Sequence, residues 1–293
     1  MKTALLSLSL LCSAVALSGQ GSFSTDEALK QLYHDYDPAT RTAQWVCTKE
    51  QQREGPHTGW RCIKEDTTVS VSVILMAQVP EGDATRIYLA TSAKPAHDPM
   101  GEYNCHACAP AIGAAVFVWQ SQHWALESAN VAIEFSQGWG EPPEIYLVVA
   151  GPQEHGLVLS SNDLAQGFAA SGKELLLPVG KTVEAVWSIG DESDAFGKVD
   201  PTDKANSPPP YRSSAAFRFL SGDDGAAYTG APSDYYDIEV ISRGSSWEDY
   251  NHPVKRENWS AIYSFKNGKY RLVRKTSFAE VKNSGKPRTD KKP

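Results

Sequence analysis

The segment Cys105-His106-Ala107-Cys108 places two thiols at Cys-x-x-Cys spacing with an imidazole between them. Three chemistries fit that spacing. A structural disulfide would close the tight turn. A zinc ion would take the two thiolates, with His106 or other cysteines completing a tetrahedron. A redox couple would use the histidine to lower a thiol pKa and make the disulfide more oxidising. The surrounding sequence ranks them. A zinc ribbon repeats its Cys-x-x-Cys pair, and Cys47 and Cys62 are too far apart to supply a second one. A thioredoxin-like dithiol needs an apolar strand running into the first cysteine and a helix leaving the second. Here Pro95, Asp98, Pro99, Gly101 and Glu102 make the approach a loop, and Val116 and Val118 beyond the motif alternate like a strand. A bridge is therefore expected, with redox or metal chemistry through Cys105, His106 and Cys108 as the alternatives.

Cys47 and Cys62 sit in matching Trp45-Val46-Cys47 and Trp60-Arg61-Cys62 triplets on either side of a polar loop. Two adjacent strands of a hairpin would present both cysteines on one face. A bridge there closes a loop whose entropy is worth about 3 kcal/mol. Two disulfides among Cys47, Cys62, Cys105 and Cys108 suit an oxidising compartment.

Other catalytic signatures are missing. The histidines at 34, 57, 97, 106, 123, 155 and 252 include no pair three or four residues apart, so no helical His pair can hold a metal. The sequence has no Gly-x-Ser-x-Gly elbow, P-loop or GxGxxG fingerprint. Asp191, Glu192, Asp194, Asp200 and Asp203 raise the thought of calcium, but Ala195 falls on a ligand position and Phe196 where an EF-hand requires glycine. A looser calcium loop remains as an alternative to a solvated one. Trp247, Tyr250, His252 and Trp259 lie among polar residues and form a candidate binding surface for a sugar or protein partner. Asn258-Trp259-Ser260 is also a formal glycosylation sequon.

Charge and the first residues bear on place and partner. Lys2, an apolar run over 4–17 and Ala14-Val15-Ala16 have the form of a signal peptide spanning 1–16. The run is too short for a permanent span, and nothing later approaches the ~20 apolar residues a transmembrane helix needs. A periplasmic or secreted protein with no transmembrane segment is expected. The chain carries 28 basic and 35 acidic residues, a net charge of -7, which argues against nucleic acid as partner. Five Lys or Arg and one Asp fall in 282–293, a basic tail with no apolar residue that is expected to stay disordered.

The elements that must position these residues are mostly strands. Ser24 with Glu27 forms a capping box, and Ala28, Leu29, Leu32, Tyr33 and Tyr36 share one face, predicting an N-terminal helix within 17–38 stopped by Asp37-Pro38. Beyond it the period falls to two. Val69, Val71 and Val73, Ile87 and Leu89, Leu157 and Leu159, Val183 to Ile189, Phe217 and Phe219, and Ile238 and Val240 read as strands between Gly-, Pro- and Asp-rich turns. The expected fold is all-β or β-dominated: antiparallel, sandwich-like sheets with one N-terminal helix. The expected divisions are a β-rich unit with the cysteines over 39–190, an acidic, Pro-rich loop or linker over 191–211, and a β-rich C-terminal unit over 212–281.

Trp119–Leu126 and Phe265–Leu272 share the spacing aromatic-x4-aromatic-x-Leu, each resembling a hairpin with its aromatics on one side. Two related β units, roughly 40–140 and 180–281, would explain them. Finding different strand neighbours around the two hairpins would reject the relation. Together these features predict an exported, non-enzymatic β-rich protein that binds a protein or cell-envelope macromolecule, in the manner of an inhibitor or immunity protein. No cofactor is expected. A thiol-disulfide protein or a protein binding zinc or calcium are the alternatives.

Overall fold

A computed structural model describes residues 21–46, 67–97, 109–133, 141–165, 168–194, 211–221, 234–247, 254–256 and 258–278. Its one helix, α1 (Thr25–Leu32), begins where Ser24 accepts the Glu27 N–H, and Asp26 and Glu27 sit favourably at its positive end. Six strands then form an antiparallel meander in chain order: β1 (His34–Asp37), β2 (Thr42–Gln44), β3 (Thr68–Glu81), β4 (Ala84–Pro95), β5 (Ala111–Gln120) and β6 (His123–Ile133). The second sheet contains β7 (Glu144–Gly151), β8 (Glu154–Ala165), β9 (Phe168–Val179), β10 (Thr182–Asp194), β11 (Arg212–Leu220), β12 (Asp237–Trp247), β14 (Trp259–Lys266) and β15 (Lys269–Ser277), neighbours in that order. Among the described residues, the short β13 (Val254–Arg256) pairs with β12 alone. The fold is thus β-dominated, with two antiparallel sheets and a single helix among the described residues.

The helix is shorter than its periodicity predicts. Tyr33 already has extended dihedrals and Tyr36 lies on β1, so the apolar face continues past Leu32 as strand. Tertiary packing overrides the helical period here. Leaving the helix lets Tyr33 reach Thr91 on β4, their hydroxyls 2.6 Å apart in the core. Gly113 on β5 makes room for this pair, because a Cβ there would lie 2.3 Å from the Thr91 hydroxyl and 2.7 Å from that of Tyr33. A second departure concerns 191–211. β10 runs through Asp194, so the first four residues of that segment are strand, and β10 pairs with β11 through Glu192↔Ser214. The break between the two sheets falls between Ile133 and Glu144.

Three apolar cores stack through the molecule. Ala28, Leu29, Tyr33 and Tyr36 cover one face of the first sheet at Val69, Val71, Ile87, Leu89 and Phe117. The opposite face presents Tyr88, Ala90, Ile112 and Val116 to Ile145, Leu157, Leu159 and Leu176 of the second sheet. The far side of that second sheet gathers Val158, Leu175, Leu177, Trp187, Ile238, Val240 and Tyr270 into a core of its own. Strands covered on both faces read as near-continuous apolar runs, as Ile87–Ala90 and Leu175–Leu177 do.

The two aromatic hairpins form in the predicted positions and match in detail. Trp119 pairs with Trp124 across β5–β6, and Phe265 with Tyr270 across β14–β15. Both two-residue turns, Ser121-Gln122 and Asn267-Gly268, have positive φ at each residue, the type I′ pattern. Each hairpin has a register shift at the same place, leaving Glu127 in one and Val273 in the other as the extra residue. Their neighbours correspond too. Ile87 and Leu89 face Phe117 and Ala115, as Ile238 and Val240 face Tyr263 and Ala261. The strand neighbours are therefore equivalent.

Candidate functional site

Of the residues singled out in the sequence, the structure places few. Cys47, Cys62, Cys105, His106, Cys108, Tyr250 and His252 lie outside the described residues, and for Trp247 only the backbone on β12 is described. Trp259 is half-buried at the start of β14, with the Lys275 ammonium 4.3 Å from its ring centroid. That contact ties the candidate aromatic surface to β15, the last strand of the second sheet.

β15 is built as an edge. Tyr270 turns inward and donates its hydroxyl to the Tyr236 carbonyl at 2.8 Å, anchoring the hairpin, and burial raises its phenol pKa. The other eight residues of the strand are exposed. Leu272 and Val273 keep 53% and 49% of their surface in solvent, and Lys269 and Arg271 on one side and Arg274 and Lys275 on the other flank them. Residues 258–278 contain five Lys or Arg and no Asp or Glu. A positive ridge with an apolar centre therefore runs along an exposed strand of an acidic chain.

A second polar feature sits between the sheets. Glu81, at the end of β3, has a side chain with 0% exposure. One of its oxygens lies 2.5 Å from His155 Nδ1 and 2.9 Å from the Tyr88 hydroxyl, and the other accepts Arg86 Nη1 at 3.0 Å. Arg86 also grips Glu127 with Nε and Nη2 at 2.7 and 3.0 Å. The hydrogen bond to Glu127 is the chief reason the guanidinium pKa is raised. Glu154 nearby is pushed up, first by burial and then by the negative Glu81. A buried carboxylate needs such partners. With both oxygens engaged, Glu81 locks the β3–β4 turn to β8. The signal for this network was weak in sequence: acids and a base around Gly82-Asp83, with His155 remote in the chain.

Asp191, predicted as a loop carboxylate, is instead buried and accepts from Lys173 and from Ser171. Burial alone would raise its pKa, but the bonds from Lys173 and Ser171 together outweigh it and hold the carboxyl below the usual range. Among the described residues, no group of three or more His, Cys, Asp or Glu side chains is arranged to hold a metal ion. Likewise among them, no helix is long and apolar enough to cross a membrane. No protein-family model matches the chain, and searches of curated proteins and of solved structures find no significant match.

Proposed function

We propose that this chain is an exported, non-enzymatic binding protein whose working part is the outer edge of its second sheet. The observation that carries the reading is β15: nine residues at the end of the sheet, solvent-exposed except for Tyr270, with four basic side chains around two exposed apolar ones. Solvated apolar side chains on a rigid strand, bordered by one sign of charge, are what a recognition surface offers a complementary macromolecule. The charge division along the chain supports the same reading. Residues 1–253 carry a net charge of -16 and residues 254–293 a net charge of +9, so the segment that contains β15 is positive in an otherwise acidic chain. Export rests on Lys2 and the apolar run that follows it.

The experiment is affinity capture from cell-envelope extract with the full chain, beside the double variant Arg271→Glu/Arg274→Glu. The expected result is a partner recovered at near-stoichiometric yield by the wild type and lost with the variant. Recovery of no stoichiometric partner, together with measurable turnover of an envelope substrate, would contradict it.

A further inference from the structure

We infer that β15 accepts an extended, acid-rich polypeptide segment as an additional strand of the second sheet. The inference rests on the binding-protein reading above and names the partner's chemistry. Among the described residues, the two sheets have four terminal strands: β1, β6, β7 and β15. β1 has four residues, two of them aspartates, and Asp35 has φ 50°, which interrupts an extended edge. β6 is engaged by the second sheet, with Ala129 N–H donating to the Lys181 carbonyl and the Asn130 amide to that of Val183. β7 gives its Ala150 carbonyl to Tyr236 N–H and begins with Glu144. None of these three strands contains Lys or Arg. β15 contains four, over nine residues.

An added strand takes its affinity from main-chain hydrogen bonds and its specificity from side chains about 5 Å across the pair. Lys269, Arg271, Arg274 and Lys275 call for Asp or Glu at both flanks of the incoming segment. Leu272 and Val273 call for one or two β-branched or aromatic residues at its centre. A second copy of β15 is a poor occupant, because antiparallel edge pairing about Val273 would set Arg271 against Lys275 and repeat the clash by symmetry. Lysine-rich edges also serve to prevent sheet-to-sheet aggregation. The solvated Leu272–Val273 pair at the centre works against that purpose and favours a receiving edge.

The test measures binding of the full chain to a labelled peptide of alternating Glu and Thr with two central Val. Two further peptides carry N-methyl groups on alternate residues, one set on each edge. Saturable binding is expected, with one N-methylated peptide about tenfold weaker and the other unchanged, because only one peptide edge can meet β15. Arg271→Glu/Arg274→Glu should weaken the acidic peptide about tenfold or more and favour a Lys-substituted one. Equal affinity for both N-methylated peptides would overturn strand addition. So would equal affinity for a sulfated polysaccharide, duplex DNA or anionic vesicles, which marks a general polyanion patch. No saturable peptide binding would overturn it too, as would a variant that self-associates while keeping its peptide affinity. The N-methyl arm uses the unaltered protein, so it stands even if the variant misfolds. An envelope partner lost with the variant but not displaced by the acidic peptide would sink strand addition while leaving the binding-protein reading in place.

Discussion

The hairpins β5–β6 and β14–β15 share a cross-strand aromatic pair, a turn with two positive φ values and a register shift at the same step. Their surroundings differ. Over the first hairpin, Phe23 packs edge-on to Phe117 and Trp124, and the Trp124 indole donates to the Gly21 carbonyl at 3.0 Å. Phe117 is fully buried as a result. Over the second, Tyr263 and Phe265 pack against the core on the far side of the second sheet, while β15 keeps its outer residues in water. Local sequence builds the same hairpin twice. The N-terminal segment and the other sheet decide which one becomes core and which one becomes surface.

The largest effect should come from the equivalent positions Phe117 and Tyr263. Phe117→Ala should cost about 3–5 kcal/mol in denaturant unfolding, as for any fully buried aromatic, and Tyr263→Ala distinctly less. Equal losses would erase the difference between the hairpins. Next, Arg86→Ala strips a partner from buried Glu81 and from Glu127 and should cost about 3 kcal/mol. A loss below that of a surface substitution would remove the network from the account of how the sheets are joined.

Smaller changes compare the turns. Gly268 and Gln122 occupy the same turn position, at φ 78° and 65°. Gly268→Ala should lose about 1 kcal/mol and Gln122→Gly should gain up to about that much, since only glycine adopts this region without strain. Thermal unfolding of the two variants checks the opposite signs. The last effect is a pH dependence. Asp191 has a lowered pKa in the folded protein, so its contribution is complete above the ordinary carboxylate range and lost as pH falls through its folded value. Asp191→Asn should cost about 1–2 kcal/mol at neutral pH, and the gap to wild type should close below about pH 4. A gap that stays constant across urea titrations at both pH values would mean Lys173 and Ser171 do not hold the charged form.

Much of the fold was legible in the residues. Alternation at Val69 and Val71, Ser24 as a cap and the aromatic spacing of the hairpins each found its element, because local preferences and the buried face agree there. The end of the helix was not legible, since Tyr33 and Tyr36 satisfy a helical period while being buried from a strand start. Asp191 looked like a loop acid because its partner Lys173 comes from the neighbouring strand. The basic edge was only half visible. The aromatic spacing of Phe265–Leu272 marked the hairpin, but which strand ends the sheet depends on pairing across the whole chain.

Residue-resolved amide hydrogen exchange, with and without the Glu-rich peptide, tests the central claim most directly. The expected result is slow exchange throughout β5–β6 in both states, with new protection on binding confined to β15 and centred on Leu272 and Val273. Protection appearing instead along β1, β6 or β7, or peptide binding with no change in β15, would contradict it.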